Sequence, residues 1–185
     1  MEAGTLTALR SSRTLAIGTS VRIVACPIIL GLLLGHDYTS GAVLFLIAAA
    51  TDYVDGRLAR SWNVVTTLGA FLDTTADKLL VATAMLGLVA IHRGSPWVAL
   101  VIIGREFTIL GLRALVASSG SNFETSKFGK WKATIQFVAI ALAMLRPDVH
   151  VAGPYLDQWL LAITAVITAW SGIDYLIHSA DAFKS

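Results

Sequence analysis

Six apolar runs, each long enough to cross a lipid bilayer as a helix, occupy about two thirds of this chain. A transmembrane helix needs about 20 predominantly apolar residues. The breaks between the runs carry turn-forming residues such as Gly, Pro, Ser, Asn and Asp. The runs are residues 14–35, 40–60, 68–91, 96–118, 130–146 and 156–178. This pattern predicts an all-α membrane protein with six transmembrane helices, formed by one domain over residues 1–185. Residues 1–13 are too few and too polar to span, and we expect them to form a short surface segment.

The composition excludes a soluble globular domain. Of the 185 residues, 56% are hydrophobic and 14% are charged, whereas soluble domains have about 45–50% and about 25%. A chain of this size has too little interior volume to bury that much apolar surface. The formal net charge is only +2, which gives no reason to expect a nucleic-acid partner.

Basic residues predict the orientation of the helices, because the cytoplasmic loops of membrane proteins are enriched in Lys and Arg. One side of the predicted bundle carries ten of them: Arg10, Arg13, Arg22, Arg57, Arg60, Arg113, Lys127, Lys130, Lys132 and Lys184. The other side carries only Arg93 and Arg146. We therefore expect a multi-pass protein of the cell membrane (plasma or inner), with both termini in the cytoplasm.

Four carboxylates lie within the second and third predicted helices, where unpaired charges are costly. Asp52 and Asp55 are three residues apart and Asp73 and Asp77 are four apart, so each pair shares a helix face. The two helices are predicted antiparallel neighbours joined by a loop centred near residues 64–65. At about 1.5 Å per residue, Asp52 should match Asp77 in depth, and Asp55 should match Asp73. We expect the four carboxylates to converge at the cytoplasmic side of the membrane.

Clustered carboxylates require protons or cations to relieve their repulsion. Ligands that are all oxygen favour Mg²⁺ or Mn²⁺, and two such ions suit a diphosphate substrate because they can clamp its attacking and leaving oxygens. The same residues would also suit a cation or proton pathway in a small transporter, or a non-enzymatic membrane protein that binds divalent cations. Nearby, Gly56, Ala59 and Gly69 fit either close helix packing or a slot for a flat ligand group.

The spacing Asp52-x2-Asp55-Gly56-x2-Ala59-Arg60-x8-Gly69-x3-Asp73-x3-Asp77 resembles the signature of the CDP-alcohol phosphotransferases. The resemblance implies a six-span, usually homodimeric enzyme that transfers a substituted phosphate from a CDP-linked donor to an alcohol and releases CMP. It implies that two ions of Mg²⁺ or Mn²⁺ are bound by Asp52, Asp55, Asp73 and Asp77. Asp77 would also be the general base on the acceptor hydroxyl. The implied contacts to the donor nucleotide are Gly56, Ala59, Arg60, Thr66 and Gly69.

Two further segments bear on the acceptor. Gly104-Arg105-Glu106-x5-Leu112-Arg113 and Gly129-Lys130-x-Lys132-x-Thr134 resemble helices of the bacterial phosphatidylglycerophosphate synthases within this family. That resemblance implies CDP-diacylglycerol as the donor and glycerol 3-phosphate as the acceptor; inositol phosphate, or phosphatidylglycerol as in a cardiolipin synthase, are the alternatives.

A basic pocket suits a phosphorylated acceptor, and its candidate residues are Arg105, Arg113, Lys130 and Lys132. Arg105 could instead pair with a nearby carboxylate such as Asp174, and the two lysines could be cytoplasmic anchors. Lys78 is expected to pair with a carboxylate.

Overall fold

In a computed structural model the chain is helical. The structure describes the backbone of residues 2–61, 67–118, 128–151 and 153–182, and the side chains of residues 18–51, 72–115, 133–151 and 153–177. Within these ranges the helices are α1 (Glu2–Leu34), α2 (Tyr38–Ser61), α3 (Thr67–Ala90), α4 (Pro96–Ser118), α5 (Phe128–Leu145) and α6 (Leu156–Ala182). Each predicted span corresponds to one of these helices, so the prediction of an all-α fold with six helices is confirmed; that all six cross a membrane stays a prediction.

The N-terminus differs from the prediction. Residues 2–13 do not form a separate segment, because α1 runs without a break from Glu2 to Leu34. These residues include Ala, Leu and Arg, which favour helices, and no Pro interrupts them. The polarity of residues 2–13 places them outside the apolar run that begins at residue 14. Their helix propensity is nevertheless high, so the helix extends through them.

The chain divides into two compact units, Met1–Ala84 and Met85–Ser185. In the first unit, α1 packs against α2. The buried positions of α1 recur at helical spacing: Arg22, Cys26, Ile29 and Leu33. At Gly41 of α2 an added Cβ would lie 3.3 Å from Leu33 Cδ2, so glycine allows the two helices to approach closely.

A tight turn joins α1 to α2. His36 adopts a left-handed conformation with φ of 64°, and Asp37 caps α2 by accepting a hydrogen bond from the Ser40 main-chain N–H at 3.2 Å. The hydrogen bonds to Ser40 lower the pKa of the exposed Asp37 carboxyl. This turn lies at the break that the sequence predicts between the first two runs.

In the second unit, α6 packs against both α4 and α5. Its core contains apolar side chains from α4 and α5 together with buried threonines of α6: Ile102, Ile140, Met144, Thr164 and Thr168. The start of α4 is defined by Pro96 at its first position, a site that proline favours because its missing N–H would be unpaired there.

Candidate active site

The helix bounds agree with the predicted placement of the four aspartates along the chain. Asp55 stands six residues before Ser61, the last residue of α2, and Asp73 stands six residues after Thr67, the first residue of α3. Asp52 and Asp77 stand nine and ten residues from the same two ends. The side chains of Asp52 and Asp55 lie outside the described residues, so their convergence with those of α3 stays a prediction.

Asp73 is held by two residues of α1. The guanidinium of Arg22 forms an ion pair with Asp73 Oδ1, and its Nη1 also donates to the main-chain oxygen of Asp73 at 3.3 Å. The Thr19 hydroxyl donates to Asp73 Oδ1 at 3.4 Å. The Arg22 side chain is 0% exposed and that of Asp73 is 31% exposed. Helix α1 therefore fixes both the backbone and the carboxylate of Asp73 and compensates its charge.

The environment of Arg22 differs from the one that its place in the sequence predicts. The sequence places Arg22 among the cytoplasmic basic residues that predict the orientation, but its side chain is fully buried and paired. With nine basic residues against two, the cytoplasmic placement of both termini stays a prediction. The sequence signal that points to the pairing is Thr19-x2-Arg22, two polar residues on one face of an otherwise apolar helical segment.

The two carboxylate oxygens of Asp77 have different surroundings. Oδ2 lies 3.3 Å from Lys78 Nζ, which confirms the expected pairing of Lys78 with a carboxylate. Oδ1 is buried and has no hydrogen-bond partner among the described residues. A buried polar atom in that condition costs about 1–3 kcal/mol, so this oxygen is suited to receive a proton or to ligate a cation.

The rest of the predicted metal and nucleotide site falls outside the described side chains. Among the side chains that are described, no group of three or more His, Cys, Asp or Glu could hold a metal ion. The predicted nucleotide contacts Gly56, Ala59, Arg60 and Gly69 lie in helices whose side chains are not described at those positions, and Thr66 lies outside the described residues altogether. The side chains of Lys130 and Lys132 also lie outside the described side chains, although both residues belong to α5.

The two arginines predicted to bind the acceptor both contact α6. Arg105 pairs with Glu106, at 2.9 Å between Nη1 and Oε1, and its Nη2 donates to the Ser171 hydroxyl at 3.2 Å. Arg105 therefore pairs with a nearby carboxylate, that of the adjacent Glu106, and its contact with the acceptor stays a prediction. Arg113 is exposed, and its Cζ lies 5.7 Å from the ring centroid of Tyr175, within range of a cation–π contact.

Comparisons with known proteins cover most of the chain. Residues 16–170 match the family model described as CDP-alcohol phosphatidyltransferase. A protein of Bacillus subtilis (strain 168), named CDP-diacylglycerol–glycerol-3-phosphate 3-phosphatidyltransferase, is 38% identical over 152 residues, which cover 80% of this chain and 77% of that protein. Proteins with the same name from Escherichia coli (strain K12) and Shigella flexneri serotype 5b are 45% identical over 142 residues, covering 74% of this chain and 76% of each relative. The chain belongs to the CDP-alcohol phosphatidyltransferase family.

Proposed function

We propose that this protein transfers the phosphatidyl group of CDP-diacylglycerol to glycerol 3-phosphate, forming phosphatidylglycerophosphate and CMP. The names of relatives that are 38% and 45% identical support both substrates. The observation in the molecule that carries the proposal is Asp77, whose Oδ2 contacts Lys78 while its buried Oδ1 has no hydrogen-bond partner among the described residues. In this proposal, Asp77 Oδ1 is the atom that contacts the acceptor hydroxyl.

Asp77 serves as the general base in this proposal. It takes the proton from the acceptor hydroxyl, and the hydroxyl oxygen attacks the phosphorus atom that carries diacylglycerol. A P–O bond to glycerol 3-phosphate forms as the bond from that phosphorus to the bridging oxygen of the diphosphate breaks. CMP leaves with the bonding electron pair, and the transfer is direct and in line. Lys78 orients the base through its contact with Oδ2.

We further propose that the site takes Mg²⁺ or Mn²⁺, as two ions, on Asp52, Asp55, Asp73 and Asp77. The donor set is all oxygen, which suits these hard cations, and the buried Oδ1 of Asp77 fits a ligand atom. When bound, the ions supply positive charge that stabilises the diphosphate and the departing CMP. The contacts of Arg22 and Thr19 with Asp73 hold that ligand in place.

The acceptor phosphate is proposed to bind at a basic site built from Arg105, Arg113, Lys130 and Lys132. The exposure of Arg113 on α4 supports this assignment, because a guanidinium can donate two parallel hydrogen bonds to a phosphate. The donor nucleotide is proposed to contact Gly56, Ala59, Arg60, Thr66 and Gly69, as the family signature implies.

A membrane location of this enzyme is supported by the distribution of apolar side chains. The segment Leu156–Ile177 of α6, with 22 residues and a mean hydropathy of 1.7, is long and apolar enough to cross a bilayer, and shorter apolar stretches lie in α1, α2 and α5. Each of the six helices also exposes large apolar side chains. On α1 the charged Arg22 is buried while Val24 is 60% exposed, a pattern suited to contact with lipid.

The orientation is tested by labelling single cysteines in intact cells. Cys26 is the only cysteine of the chain and is buried, so Cys26→Ser provides a background without thiols. The Asp148 side chain, in the loop between α5 and α6, is 93% exposed. Asp148→Cys should react with a membrane-impermeant maleimide from outside, whereas Ser185→Cys should react only after permeabilisation. The reverse pattern would contradict a cytoplasmic active site.

The acceptor is tested with a panel of alcohols. Purified protein in detergent is given CDP-diacylglycerol labelled in the phosphatidyl group, together with glycerol 3-phosphate, inositol phosphate or phosphatidylglycerol. We expect label to enter phosphatidylglycerophosphate in preference to the other products. Preferential use of another acceptor would retain the enzyme class and overturn this acceptor. The homodimer implied by the family resemblance is tested in the same preparation by light scattering.

A further inference from the structure

We infer that Ser171 and Gly172 of α6 are positioning residues for Arg105, and that they thereby set the affinity for the acceptor phosphate. The inference rests on the proposed function, in which Arg105 belongs to the acceptor site. Neither α6 residue is part of the signature that identifies the family, and both are 66 or more residues away from Arg105 in the chain.

Gly172 provides the space in which the Arg105 side chain lies. A Cβ added at Gly172 would be 2.9 Å from Arg105 Cγ and 4.0 Å from its Nε, and the first distance is shorter than a real Cβ contact. Because Cγ lies near the start of the Arg105 side chain, the whole side chain would have to move to remove the clash with the added Cβ. Glycine inside a helix is less favourable than alanine, and this contact accounts for its presence in α6.

The head of Arg105 is fixed at two further points. Its Nη2 donates to the Ser171 hydroxyl at 3.2 Å, and its Nη1 lies 2.9 Å from Glu106 Oε1. The Arg105 side chain is 19% exposed and that of Glu106 is 6% exposed. The aliphatic part and the guanidinium of Arg105 are therefore both in contact with neighbouring residues of α4 and α6.

The next arginine on the same face of α4 has a similar relation to α6. Arg113 follows Arg105 by eight residues, about two helical turns, and lies over the ring of Tyr175, one turn after Ser171. Arg105 and Arg113, the two arginines of α4 in the proposed acceptor site, thus contact neighbouring turns of α6. This arrangement makes α6 the support of the basic face of α4.

Steady-state kinetics of Gly172→Ala test the inference, with Gly111→Ala of α4 as the matched control, because a Cβ at Gly111 would meet no atom within 4 Å. CMP release is measured with glycerol 3-phosphate varied at saturating CDP-diacylglycerol, and then with the donor varied. We expect Gly172→Ala to raise KM for glycerol 3-phosphate about tenfold, with KM for the donor within about twofold. The control should match the wild type in both.

A second pair of variants keeps the test decisive if Gly172→Ala does not fold. Ser171→Ala removes the hydroxyl that accepts a hydrogen bond from Arg105, and it should raise KM for glycerol 3-phosphate about threefold to tenfold. Ser171→Thr keeps a hydroxyl at this position and should have a KM for glycerol 3-phosphate close to that of the wild type. Unchanged KM values, or equal increases for both substrates, would overturn the inference. Absence of glycerol 3-phosphate turnover by the wild type would instead overturn the proposed function, so the two failures are distinct.

Discussion

Replacing Arg22 with methionine tests how much the contact between α1 and Asp73 contributes. Breaking a buried ion pair by removing one partner costs about 3–5 kcal/mol. Arg22 is fully buried, but Asp73 is 31% exposed and water can solvate part of its charge, so we expect about 2–3 kcal/mol. Arg22→Lys keeps the charge, but it loses the two separate guanidinium nitrogens that reach the main-chain oxygen and the carboxylate. Loss of one hydrogen bond should cost about 1 kcal/mol.

The effect on activity should follow the same order. Residues that orient metal ligands typically contribute 10–100-fold to metal affinity or activity. We expect Arg22→Met to raise the Mg²⁺ concentration for half-maximal CMP release by about 10–100-fold, and Arg22→Lys to raise it less. The assay is CMP release at a series of Mg²⁺ concentrations, with the Tm of each variant measured in the same detergent.

Arg146→Met is the matched control for loss of an ion pair. Arg146 Nε lies 3.5 Å from Asp157 Oδ2, and the Asp157 side chain is 0% exposed. This control should lower Tm, because it also leaves a buried carboxylate without its cation, and should not alter the Mg²⁺ requirement. A wild-type Mg²⁺ requirement in Arg22→Met would refute the positioning of Asp73, as would an equal change of that requirement in Arg146→Met.

Three further outcomes are expected. Asp77→Asn should abolish turnover and leave Tm close to that of the wild type; retained CMP release would exclude Asp77 as the base. Arg113→Gln should raise KM for glycerol 3-phosphate more than KM for CDP-diacylglycerol, and equal changes in the two constants would remove Arg113 from the acceptor site. The lowered pKa of Asp37 means that its contribution to stability is present above the pKa of the unfolded carboxyl, about 3.9, and is lost as the pH falls through the folded value. Asp37→Ala should therefore lower Tm at pH 7 by more than at pH 3, and a difference that grows as the pH falls would contradict the capping role.

The helices could be predicted from the sequence because their ends coincide with local signals. The run predicted at residues 96–118 is α4 itself, since Pro96 begins it. The run predicted at residues 40–60 corresponds to α2, which spans Tyr38–Ser61 and has Asp37 as its N-terminal cap. In α1, by contrast, the start of the apolar run was not the start of the helix, because hydropathy and helix propensity are different properties of the same residues.

The partners of Arg22 and Arg105 could not be predicted in the same way. Arg22 contacts Asp73, 51 residues further along the chain, and Arg105 contacts Ser171, 66 residues further. Periodicity indicates which face of a helix a residue shares, but it does not specify which residue of another helix meets that face. The spacing of the four aspartates carries more information, because these residues stand on two consecutive helices at similar distances from the end of α2 and the start of α3.

CMP release by the purified protein tests the central claim most directly. The protein in detergent is given CDP-diacylglycerol, glycerol 3-phosphate and Mg²⁺, and both products are quantified over time. We predict CMP and phosphatidylglycerophosphate in equal amounts, with neither formed when glycerol 3-phosphate is omitted or when a chelator removes the metal. No CMP release in the complete mixture, or CMP release that is independent of both acceptor and metal, would contradict the proposed phosphatidyl transfer.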